Sequence, residues 1–118
     1  DSVAPIGIDV EAVRADLARV DQFDRVLATE ELAFLNAVPL QHRARAFAMV
    51  WVRKEAYVKA LGEGMSRPLQ GINITVDAKG QPSLLYDRCG RDSPARWQFE
   101  DLAVDARHVA CLVCRRDG

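Results

Sequence analysis

The chain has only two histidines, three cysteines and no excess of charge of either sign, and each scarcity closes off a class of function. Lysine and arginine number 16 against 17 aspartates and glutamates, for a formal net charge of -1. Nucleic-acid binding, which shows as a basic excess on one face, is therefore not expected to be the main task. No uninterrupted apolar run approaches the ~18 to 20 residues that cross a bilayer. The opening Asp1-Ser2-Val3-Ala4-Pro5 has neither the basic nor the apolar region of a secretion signal. It also lacks an initiator methionine, so the chain reads as processed or excised from something longer. Cys89, Cys111 and Cys114 cannot all pair within one chain, and a reduced, cytoplasmic protein is expected.

What is present is enough for one domain over residues 1–118: the chain is 49% hydrophobic and can bury a usable core. Val3 to Val10 alternates loosely, with Gly7 inside, and predicts a strand entering from an edge. From Ala12 to about Val38 the residues Val13, Leu17, Val20, Phe23, Val26 and Leu27 keep helical spacing, with Thr29 as the expected N-cap of a second helix start. Gln41 to Leu61 is free of glycine and proline, and Phe47, Val50, Trp51, Val58 and Leu61 form one stripe. Gly62 is the expected left-handed cap, followed by a loop at Ser66 to Leu69. Then come strands at Ile72–Val76 and Pro82–Tyr86 around an Asp77-Ala78-Lys79-Gly80 turn, a loop at Cys89–Pro94, and strands at Arg96–Leu102 and His108–Cys114. The fold class is α+β: an N-terminal strand, helices including one long helix, then an antiparallel β-meander packed on the helix.

Two acidic patches lie far apart in this order. Asp9 and Glu11 are two residues apart, so on a strand they point to the same face. Two carboxylates on one face repel unless a cation stands between them, and Mg²⁺ is the natural one for an all-oxygen set. Acidic residues before a helix also favour its N-terminus, so that plainer role stays open. On the long helix Trp51, Glu55 and Lys59 follow at i, i+4 and i+8 and share a face. Glu55 is expected half-buried at the edge of the core. Glu55 and Lys59 also fit an ordinary surface pair contributing a few tenths of a kcal/mol, roughly 0.2–0.5.

Gly7-Ile8-Asp9-Val10-Glu11 and Trp51-Val52-Arg53-Lys54-Glu55-Ala56-Tyr57-Val58-Lys59 resemble the two signature motifs of the 4′-phosphopantetheinyl transferase superfamily. Gly62-Glu63-Gly64-Met65-Ser66-Arg67-Pro68-Leu69 resembles the loop after the second motif, and the strands around Trp97 and from His108 to Cys114 fit the same pattern. Glu11 and the Trp51 start of the second motif are most similar to the C-terminal half of the surfactin-synthetase-activating type, a two-half enzyme with its site in the cleft between halves. The chain length is more similar to the compact, trimeric holo-acyl-carrier-protein synthases.

The resemblance implies an enzyme that moves the 4′-phosphopantetheine arm of coenzyme A onto a serine of an apo carrier protein, as in fatty acid, polyketide or nonribosomal peptide synthesis. Adenosine 3′,5′-bisphosphate leaves. Carried over by position, Asp9, Glu11 and Glu55 would hold Mg²⁺ against the pyrophosphate of CoA. Glu55 would take the proton from the carrier serine, and Lys59 would contact the phosphate and stabilise the leaving group. Lys54 and Arg53 would serve the CoA phosphates or the carrier surface. The Ser-His segment by which an N-terminal half holds the 3′-phosphate and adenine has no counterpart, so a second half-domain or a homo-oligomer is expected to complete the pocket. A non-catalytic half that only docks carrier proteins is the remaining alternative.

Cys111 and Cys114 are three apart, which on a strand places them on opposite sides, poor for a chelate; buried free thiols are expected. Trp51 and Trp97 are expected to pack the core and sheet. Arg43, Arg45 and Arg53 form either a docking face for an acidic carrier protein or a solvated helix face.

Overall fold

The long helix from Leu40 to Leu61 organises the chain. The computed structural model describes residues 5–14, 25–62 and 68–116. In chain order the elements are β1 (Ile6–Ala12), α1 (Thr29–Ala37), α2 (Leu40–Leu61), β2 (Ile72–Val76), β3 (Pro82–Asp87), β4 (Trp97–Asp105) and β5 (His108–Arg115). The helical spacing at Leu17, Val20 and Phe23, the start of the first strand at Val3 and most of the loop after Gly62 lie outside the described residues.

The strands fall into two antiparallel sheets, β1-β5-β4 and β2-β3. The meander expected after the long helix is therefore split, and the N-terminal strand joins the last one. The register sets Asp9 opposite Cys111, which in turn lies opposite Asp101. Residues directly opposite one another share a face, so these three point to the same side of the sheet.

That side is the one α2 covers. Ala48, Val52, Ala56, Tyr57 and Ala60 of α2 pack with Ile72, Leu84, Trp97, Phe99, Val109, Cys111 and Val113 of the strands. Alanines on the helix let the sheet approach, while Tyr57 meets Trp97 edge-on at 5.2 Å and stacks on Phe99 at 6.1 Å. A second cluster of Val26, Leu27, Leu35, Phe47 and Val50 joins α1 to the first half of α2.

Two turns follow the sequence closely. Gly62 is left-handed at φ 72 and its N–H bonds the Lys59 carbonyl. Gly80 has φ 84, and the Asp77 carboxylate accepts from Lys79 N and Gln81 N in the β2–β3 turn. One cap differs. Thr29 is already helical, and the N-cap of α1 is the extended Ala28. Its N–H donates to the Glu31 carboxylate at 2.9 Å, the half of a capping box in which the residue three on reaches back.

Candidate active site

Strand β1 turns its odd-numbered residues inward. Ile6, Ile8 and Val10 are each more than half exposed, whereas Gly7 and Asp9 are buried and Glu11 is half-buried. The alternation thus presents Asp9 and Glu11 together to α2. From the helix, Glu55 and Lys59 come from successive turns of one stripe, with Glu55 half-buried and Lys59 exposed. The two patches meet: Lys59 Nζ lies 2.6 Å from Asp9 Oδ1.

The cluster is short of cations. Among the described residues, Asp9 Oδ2 and Glu55 Oε2 are buried oxygens with no hydrogen-bond donor. Burial, followed by the hydrogen bond and charge of Asp9, pushes the Glu11 carboxyl up to about 7, against a hydrogen bond from Trp51. Burial and the charge of Asp9 likewise push Glu55 up, with Lys59 opposing. Lys59 in turn is raised by its hydrogen bond to Asp9 and by the surrounding carboxylates. Burial leads the two carboxyl shifts, whereas the Lys59 shift is led by its hydrogen bond to Asp9 and opposed by burial.

The donors are carboxylate oxygens, which suit a hard cation such as Mg²⁺ and not zinc or copper. Among the described residues, no three His, Cys, Asp or Glu side chains stand close enough together to hold a metal ion by themselves. The array is open. That is how Mg²⁺ is commonly held, by one or two carboxylates with waters and substrate phosphates supplying the rest.

Two residues expected at the phosphates are engaged inside the fold. Lys54 is fully buried, and its ammonium donates to the carbonyls of Val26 at 2.6 Å and Leu69 at 2.8 Å while pairing with Glu31. Its three donors are thereby used inside the fold. Glu31 also accepts from Ile74 N at 2.8 Å, tying α1, α2 and β2 into one buried polar joint. Burial drives the Glu31 carboxyl up and the Lys54 ammonium down, and their attraction opposes both. Arg53 is buried too, and forks onto Asp101 of β4 at 3.0 and 2.7 Å. Neighbours in sequence are about 100° apart around a helix, so residues 53 and 54 point away from the face of Glu55.

The other arginines are also engaged: Arg43 donates to the carbonyl of Val38 after α1, and Arg45 to that of Ala106 in the β4–β5 turn. Trp51, expected as packing, does tilt against Phe47 at 6.1 Å. It also hydrogen-bonds Glu11, a contact that its place on the Glu55–Lys59 stripe could have shown. Glu31 carried no local signal of its joint with Ile74 and Lys54.

The sequence profile of the 4′-phosphopantetheinyl transferase superfamily matches residues 5–114. A holo-[acyl-carrier-protein] synthase of Geobacillus kaustophilus is 38% identical over 94 residues, covering 75% of this chain and 73% of that one. The 4′-phosphopantetheinyl transferase psf-1 of Bacillus pumilus is 32% identical over 82 residues, 69% of this chain but 34% of that protein. In fold the chain is similar to a Bacillus anthracis holo-(acyl-carrier-protein) synthase solved in complex with CoA (3′,5′-ADP), with a TM-score of 0.76 at 19% identity, covering 98% of this chain and 100% of that one.

Proposed function

The chain belongs to the 4′-phosphopantetheinyl transferase superfamily, and we propose that it uses Asp9, Glu11, Glu55 and Lys59 to transfer the phosphopantetheine arm of CoA to a carrier-protein serine. The observation that carries this reading is the pair of buried, donor-less oxygens, Asp9 Oδ2 and Glu55 Oε2, beside the Lys59 ammonium. Asp9, Glu11 and Glu55 would hold Mg²⁺, which when bound supplies charge neutralisation on the pyrophosphate oxygens.

The rest is done by the chain's own groups. Glu55 would take the proton from the serine hydroxyl, directly or through a water. The serine oxygen then bonds to the pantetheine-side phosphorus as the bond to the bridging pyrophosphate oxygen breaks. Adenosine 3′,5′-bisphosphate leaves with that oxygen. Lys59, exposed and one turn beyond Glu55, stabilises the charge that develops there.

With Arg53 and Lys54 engaged inside the fold, most of the grip on CoA is assigned to groups beyond those described. A second half-domain or a second copy would supply them. The row Ile6, Ile8 and Val10, exposed on the outer side of the same strand that carries Asp9, supports such a partner.

The test is incubation with CoA and an apo carrier protein, following both products. The reading expects one phosphopantetheine mass increment on the carrier protein and an equal molar yield of adenosine 3′,5′-bisphosphate. Neither product at any enzyme concentration, with a known transferase active on the same carrier, would refute it and leave a non-catalytic docking domain.

A further inference from the structure

We propose that Gly7 is a positioning residue of the carboxylate site: its missing side chain sets how closely β1 lies on α2, and so fixes the gap across which Asp9 faces Glu55 and Lys59. The inference rests on the Mg²⁺-dependent transfer proposed above.

Gly7 lies on the inner face of β1, one strand repeat before Asp9. A Cβ placed on it would stand 2.2 Å from the Ala56 carbonyl oxygen and 2.4 Å from the Ala60 amide nitrogen, where side chains essentially never come under 3.0 Å. Both atoms are α2 backbone, so no side-chain rotation relieves the clash. Strand or helix has to yield by at least 0.8 Å, the difference between 3.0 and 2.2 Å. Among the described residues the positive-φ glycines are Gly62 and Gly80, so backbone conformation makes no demand for glycine at position 7. Only the close approach does.

The two helix residues it touches directly follow Glu55 and Lys59 in sequence. Any movement of β1 away from Ala56 and Ala60 therefore also moves Asp9 from Lys59 Nζ, now at 2.6 Å, and from the Glu55 carboxylate. A misplacement of about 1 Å in a preorganised site is enough to cost on the order of 10²-fold in rate. Ordinary packing loss would lower stability without this selectivity.

The experiment compares Gly7→Ala with the wild-type chain in two measurements. Mn²⁺ affinity is read by electron paramagnetic resonance, Mn²⁺ being a hard-ion stand-in for Mg²⁺ at oxygen ligands. Steady-state transfer gives kcat and the KM for carrier protein. The expected result is a folded variant whose Mn²⁺ affinity falls at least about fivefold and whose kcat falls about tenfold to hundredfold, with carrier KM within about twofold. A folded Gly7→Ala with wild-type Mn²⁺ affinity and kcat would overturn the inference. Should Gly7→Ala not fold, Asp9→Glu decides instead, because it keeps the charge and advances the carboxylate by one methylene. Loss of Mn²⁺ binding in that variant supports a fixed gap, and wild-type binding overturns it. A wild-type chain that transfers from CoA but binds no Mn²⁺ would instead sink the metal reading on which the inference rests.

Discussion

Lys59 Nζ and Asp9 Oδ1 are 2.6 Å apart across fifty residues of sequence, and that contact brings the two acidic patches together. It forms because β1 points its odd positions at α2 and α2 carries Glu55 and Lys59 on successive turns of the facing stripe.

Glu55→Gln is expected to lower kcat by at least about 10²-fold, the lower range of a general-base contribution, with no loss of fold. The burial that raises the Glu55 carboxyl penalises its charge, so a neutral amide is tolerated at neutral pH. Steady-state transfer and thermal unfolding of the same preparation check this. Retained activity, or an unfolded variant, contradicts the assignment.

Lys59→Met should lower kcat and also lower the thermal midpoint, because the ammonium is exposed but its partner Asp9 is buried and would lose its cation; the loss should be smaller than the about 3–5 kcal/mol of a fully buried pair. A variant that loses stability and keeps its turnover would make Lys59 structural.

Lys54 should behave in the opposite way. Removing one partner of a buried pair costs about 3–5 kcal/mol, so Lys54→Met is expected to be strongly destabilising. Glu31→Gln in the same chain should recover part of the loss. Urea unfolding of the two single variants and the double variant measures the coupling. A stable Lys54→Met with a raised KM for CoA would return Lys54 to the phosphates.

The thiols separate by burial. The Cys111 thiol is pushed up to about 12 by its buried setting, from an ordinary 9.0, whereas Cys89 is exposed. Folded Cys111 therefore stays protonated at mildly alkaline pH. The stability this lends is full below the ordinary value and is lost as pH climbs from there towards about 12. Iodoacetamide on the native protein should label Cys89 quickly and Cys111 only after denaturation. Equal labelling rates in the folded state would contradict the buried setting.

The outer face of β1 makes a further expectation. If a second copy completes the CoA pocket, the chain should sediment as a multiple of 13.1 kDa, and Ile8→Glu should dissociate it with a raised KM for CoA. A fully active 13.1 kDa monomer would contradict that partner.

The sequence showed much of this plan where geometry is local. Period-two spacing put Asp9 and Glu11 on one face, and the helical repeat put Glu55 beside Lys59. Gly62 and Asp77–Gly80 marked their turns through backbone conformations that few other residues accept. It failed where the deciding partner is distant. Lys54 sits next to Glu55 in sequence, yet a helix turns it inward, and its partners Val26, Glu31 and Leu69 come from elsewhere. Thr29 looked like a cap because nothing local shows Glu31 reaching both Ala28 and Ile74. The splitting of the sheet depended on β1 pairing with β5, a contact between the two ends of the chain.

The central claim is that Asp9, Glu11 and Glu55 act as one divalent-cation site with Lys59 beside it. The most direct measurement is the initial rate of carrier-protein modification as Mg²⁺ is titrated into metal-free enzyme, for the wild type and for Asp9→Asn. The expected result is no rate without metal, a saturable rise in the wild type, and little or no rise in Asp9→Asn. A wild-type rate unchanged by chelation, or an Asp9→Asn titration that overlays the wild type, would contradict it.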